Sequence, residues 1–208
     1  MEADTLLLGD WGRWIRDPLD LLRAGFLIGA LVYAALGRTT SISLFAAFLV
    51  LLFVRWLDLP RPYDFALIVA MFLIAWGTAL DLYGLWYYYK KIVHTIAPLC
   101  YSPAIYLALV RAEVLPPLHD IRESHHRIGI WLITVLIGTG ISAGYEVIEW
   151  ASDALLGTSL APSERDMATD IIAGFVGSCG GGALLVLWAA RGWATTRRVS
   201  PEVVEQRT

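Results

Sequence analysis

Six mostly apolar stretches, each near the roughly 20 residues a helix needs to cross a bilayer, dominate this sequence. They run Leu19–Leu36, Ser41–Leu57, Phe65–Trp86, Val93–Val110, Ile128–Trp150 and Met167–Ala190. Hydrocarbon offers the backbone no hydrogen-bond partner, so segments of this length must close their own bonds as helices. A composition of 57% hydrophobic and 17% charged residues in 208 excludes an ordinary water-soluble domain. The expected fold is all-α, a polytopic membrane bundle of about six transmembrane helices. The joints between segments are short, so residues 1–198 read as one integral membrane domain and 199–208 as a loosely ordered, proline-bearing tail.

Lysine and arginine set the orientation. Under six crossings one side carries Arg13, Arg16, Arg23, Arg55, Arg61, Arg111, Arg122, Arg127, Arg191, Arg197, Arg198 and Arg207, and the other only Arg38, Lys90, Lys91 and Arg165. Both termini are therefore expected in the cytoplasm. The opening MEADT is acidic, and the first long apolar run begins only near Leu19, so no cleaved signal peptide is expected. Arg23 interrupts the first segment, where a snorkelling side chain is the simplest expectation. Trp11, Trp14, Trp56, Trp86 with Tyr87–Tyr89, Trp150 and Trp193 lie near segment ends, as an interfacial belt requires. Cys100 and Cys179 fall inside apolar runs and read as packing residues.

Ionisable residues converge on one level. With this topology the third helix carries Asp81 outward, the fourth starts with Lys90, Lys91 and His94, the fifth ends with Glu146 and Glu149, and the sixth begins with Arg165, Asp166 and Asp170. At about 100° per residue, Glu146, Glu149 and Asp153 share one helix face and Asp166 and Asp170 another. The second face continues into Gly174, Gly177 and Gly181, a stripe that permits close helix packing. A second small stripe, Gly138, Ser142, Ala143 and Gly144, precedes the acids of the fifth helix, so these two helices are expected to pack on each other or on a common partner. The candidate polar site is thus Asp81, Lys90, His94, Glu146, Glu149, Arg165, Asp166 and Asp170. Within it His94, Glu146, Glu149, Asp166 and Asp170 are the candidate metal ligands, a donor set suited to magnesium, manganese or zinc. The same carboxylates are candidates for carrying protons.

Three pieces resemble a family of bacterial inner-membrane proteins, the DUF2238 or YjdF-like family, itself distantly similar to VanZ-like proteins. They are WYYYKKIVH (Trp86 to His94), GYEVIEW (Gly144 to Trp150) and DMATDIIAGFVG (Asp166 to Gly177). The resemblance implies a six-helix fold in the inner membrane and names no reaction. Family members often carry an acidic residue shortly before the histidine, where this chain has Lys90 and Lys91, so the local charge is reversed.

The pattern disfavours several activities. A bis-histidine haem needs two facing histidines within the spans, and only His94 qualifies; His119, His125 and His126 fall in a cytoplasmic loop at no ligand-like spacing. GISAG, Gly140 to Gly144, matches GxSxG but lies inside an apolar helix, so it reads as small-residue packing. There is no phosphate-cradling loop, no HExxH and no basic surface for nucleic acid. Three roles remain open: binding a cation or the polar part of a lipid or envelope precursor; metal-dependent chemistry on a lipid-linked phosphate, with Lys90 or Arg165 holding phosphate; and proton-coupled transport. Membrane lipids are an expected partner, a lipid-linked or envelope substrate is a candidate one, and the oligomeric state stays open.

Overall fold

The computed structural model describes residues 18–116, 118, 124–157 and 163–191, and every regular element among them is helical. The MEADT start, the tail and the expected positions of Trp11, Arg13, Trp14, Arg16, His119, Arg122, Trp193, Arg197, Arg198 and Arg207 lie outside the described residues. In chain order the helices are α1 (Pro18–Ala35), α2 (Thr40–Leu57), α3 (Arg61–Met71), a π-helical turn (Phe72–Trp76), α4 (Gly77–Ala79), α5 (Leu82–Leu85), α6 (Tyr89–Arg111), α7 (Ser124–Leu156) and α8 (Glu164–Ala190). Among the described residues six continuous spans are long and apolar enough to cross a membrane: α1, α2, Arg61–Ala79, α6, His125–Leu155 and α8. Their outward residues, such as Ile28, Leu31, Leu136, Ile148 and Ile172, are exposed and apolar, which suits lipid and not water.

The third span differs from its expected limits, Phe65–Trp86. It starts earlier because Pro62 is accommodated in the first helical turn, where a proline's missing N–H costs nothing. It stops at Ala79 because Asp81 adopts the left-handed conformation (φ 55°), turning the chain into the four-residue α5.

Packing divides the chain into two compact units, where the short joints had suggested one domain. The first comprises the described residues of Met1–Trp86 and Leu107–Pro117; the second, those of Tyr87–Tyr106 and Leu118–Ala194.

In the first unit Phe26, Leu44, Leu51, Leu67 and Ala75 form the core. Trp76, placed by the π turn, packs edge-on to Phe26 and Tyr33. Its ring lies where a Cβ on Gly29 would stand, 2.7 Å from Cζ2, so glycine is required there. Arg23 does not snorkel. Its side chain is buried, with Nε donating to the Leu51 carbonyl (3.2 Å), Nη1 to Asp20 (2.8 Å) and Nη2 to Asp64, while Arg55 Nε also reaches Asp20 (2.8 Å). Two arginines and two aspartates from three helices thus close a buried, charge-balanced network, the arrangement that makes charge tolerable away from water.

In the second unit α6, α7 and α8 approach closely through small residues. A Cβ on Gly177 would collide with the Thr95 carbonyl, and one on Gly181 would lie 2.7 Å from the Leu99 carbonyl and 3.0 Å from Pro103 Cδ. Gly177 and Gly181 of the α8 stripe therefore face α6. Proline lacks the N–H that would bond the carbonyl four residues back, so Pro103 releases the Leu99 carbonyl toward α8. A Cβ on Gly138 of α7 would meet Ser102 and Ser178, and one on Gly174 of α8 would meet Ser142. The GISAG expectation holds only in its centre: Ser142 is buried and lies 2.9 Å from the Tyr101 hydroxyl, whereas Gly140 and Gly144 face open space.

Candidate metal centre

The second unit brings the amino-terminal turns of α6 and α8 beside the carboxyl-terminal part of α7. Each helix contributes by its own local logic. Ser163 caps α8 by accepting the Asp166 N–H (3.1 Å), which fixes the turn that carries Asp166 and Asp170. On α7, Glu146 and Glu149 are neighbours on one face three residues apart. On α6, Lys90, Lys91 and His94 occupy the first two turns.

Two layers result. In the outer layer Lys90 Nζ lies 2.8 Å from Asp166 Oδ2, 3.1 Å from Asp170 Oδ2 and 3.4 Å from Glu149 Oε2. Lys91 Nζ lies 3.2 Å from Asp166 Oδ1 and 2.5 Å from Asp170 Oδ1, and donates to Thr169 Oγ1 (2.6 Å). In the inner layer His94 stands between two fully buried acids, with Nδ1 3.3 Å from Glu146 Oε1 and Nε2 4.0 Å from Asp170 Oδ2. His94, Glu146 and Asp170 can each offer one ligand atom so that all lie within 4.8 Å of one another. Tyr145 flanks this layer, its ring 6.0 Å from that of His94.

Glu146 is 0% exposed, and neither of its oxygens accepts a hydrogen bond. A buried carboxylate in that condition carries a large desolvation cost that the imidazole alone offsets poorly. The charge is also unbalanced: Glu149, Asp166 and Asp170 meet Lys90 and Lys91 while Glu146 meets only His94, so two negative charges remain if His94 is neutral. One divalent cation bound by His94, Glu146 and Asp170 would neutralise them and supply the missing partner of Glu146. Ligand atoms around such an ion stand closer than 4.8 Å, so binding would draw the three side chains together.

Of the residues singled out by sequence, Lys90, His94, Glu146, Glu149, Asp166 and Asp170 meet here. Arg165 lies on the exposed side of the same helical turn and joins no ion pair among the described residues. Asp81 belongs to the first unit, on the turn before α5. Thr169, Tyr145 and the capping Ser163 were missed. The S-x-x-D pattern of Ser163 to Asp166 was a legible capping signal, whereas Thr169 and Tyr145 carry none.

A family model described as a predicted membrane protein, DUF2238, matches residues 21–191 of the 208. No curated protein and no solved structure matches the chain.

Proposed function

Because the chain belongs to the DUF2238 family of membrane proteins, whose description states no reaction, we propose a role from the site itself: binding one divalent cation through His94, Glu146 and Asp170. The observation that carries this reading is Glu146, wholly buried with both oxygens lacking a hydrogen-bond donor, beside a histidine and a second buried acid. Imidazole with two carboxylates suits the borderline ion zinc best, with manganese as the harder alternative. The lysine and arginine asymmetry supports both termini in the cytoplasm of a bacterium, which puts the centre at the outer face of its cytoplasmic membrane. There it would meet cations, lipid headgroups and envelope precursors.

Metal analysis by inductively coupled plasma mass spectrometry tests the reading. Detergent-purified protein is expected to carry close to one zinc or manganese per chain, and a folded Glu146→Gln/Asp170→Asn variant almost none. Equal, substoichiometric metal in both would sink it.

One observation favours a second reading, metal-dependent chemistry on a lipid-linked phosphate: three protein ligands leave a coordination position open. Lys90 and Lys91 are committed to carboxylates, so phosphate would be held by the metal. Zinc-dependent phosphate release from a polyprenyl diphosphate in mixed micelles, lost in Glu146→Gln, supports this role; no release by the metal-loaded protein removes it.

A further inference from the structure

We propose that Lys90 decides which divalent ion the centre takes, by holding Glu149 outside the coordination sphere; the inference rests on the cation-binding reading above. Glu149 is the next carboxylate after Glu146 on the same α7 face, ahead of Asp153, and it is 7% exposed. Its Oε2 accepts no hydrogen bond, and its charge is met by the Lys90 ammonium at 3.4 Å. The same ammonium stands 3.1 Å from Asp170 Oδ2 and 2.8 Å from Asp166 Oδ2, so it lies between Glu149 and the inner layer. Lys91 occupies the other oxygens, Asp166 Oδ1 and Asp170 Oδ1. With both lysines in place, Glu146 is the acid that faces His94 without a lysine partner, and Asp170 Oδ2 is shared between Lys90 (3.1 Å) and the imidazole (4.0 Å).

Ligand number then governs selectivity. One imidazole and two carboxylate oxygens suit zinc, whose sites are satisfied by few ligands, whereas oxygen-rich spheres of higher coordination favour magnesium and manganese. Removing the Lys90 ammonium releases Glu149, adds a third carboxylate and lifts a positive charge from the site. Both changes strengthen ion binding, and the added oxygen favours the harder ions. Lys90 is thus a positioning residue that acts through Glu149 and touches no metal.

The test is calorimetric titration of the detergent-solubilised full-length protein with zinc, manganese and magnesium chlorides, for wild type, Lys90→Met, Lys90→Arg, Glu149→Gln and Lys90→Met/Glu149→Gln. Wild type is expected to prefer zinc. Outer partners of metal ligands commonly alter affinity by about 10–100-fold, so Lys90→Met should bind manganese and magnesium at least about tenfold more tightly and show a reduced zinc preference. The added Glu149→Gln should restore the wild-type preference, and Lys90→Arg should retain it. Glu149→Gln alone should leave zinc affinity within about threefold of wild type, which keeps the idea testable if Lys90→Met fails to fold. An unchanged preference in Lys90→Met, a gain that persists in the double variant, or at least a tenfold zinc loss in Glu149→Gln would each overturn it. A wild-type protein that binds none of the three ions overturns the cation reading itself, an outcome distinct from any failure confined to the variants.

Discussion

Arg23→Met should be among the most destabilising single changes in the first unit. Arg23 is 3% exposed and Asp64 1%, so truncating the guanidinium leaves a carboxylate buried with its principal partner gone. The Leu51 carbonyl loses its Arg23 donor as well, whereas Asp20 keeps Arg55 at 2.8 Å. Breaking a buried pair by removing one partner costs about 3–5 kcal/mol, most of it the stranded charge. Replacing both charges with apolar groups of similar size removes that penalty, so Arg23→Met/Asp64→Leu should be less destabilised than Arg23→Met alone, with a coupling of about 2 kcal/mol or more. Reversible unfolding by dodecyl sulfate in mixed micelles, followed by circular dichroism, measures all four corners of the cycle. An Arg23→Met cost below about 1 kcal/mol, or a double variant whose loss equals the sum of the singles, would refute the argument and return Arg23 to the snorkelling role its sequence position suggests.

Glycine substitutions should separate by neighbourhood. Gly177→Ala drives a methyl group into the Thr95 backbone and should cost about 1–3 kcal/mol, whereas Gly25→Ala, with nothing within 4 Å, should change stability by no more than about 1 kcal/mol; the same unfolding assay reads both. Arg165→Ala should leave bound metal at the wild-type level, because that side chain is exposed and outside the ion-pair network; a loss in the mass-spectrometric assay would give Arg165 a place in the site.

The spans were legible because hydropathy over about 20 residues is a local property, and the observed helices match the expected segments to within a few residues except at the fifth, which runs past Trp150 to Leu155, and at the third. There the end was set by a left-handed residue, Asp81, that no apolar count reveals. The acids of α7 and α8 were legible through helical spacing, since charge on an otherwise apolar face stands out. Their division of labour was not. Nothing in the order of residues says that Lys90 engages Asp166 and Glu149 while Glu146 turns to His94, because that choice depends on the separation of three packed helices. The Arg23 network was hidden for the same reason: Asp64 lies 41 positions away, and a lone arginine near a helix end looks like an interfacial one. The glycine stripe announced close packing without naming its partner, and the prolines of α6 explain only afterwards why α8 lies against that backbone.

Zinc K-edge X-ray absorption of the metal-loaded protein tests the central claim most directly. The account predicts a first shell of nitrogen and oxygen at about 2.0–2.2 Å with imidazole scattering that disappears in His94→Ala. A sulfur shell at about 2.3 Å, which would place the ion on Cys100 or Cys179, or imidazole scattering that survives His94→Ala, would contradict it.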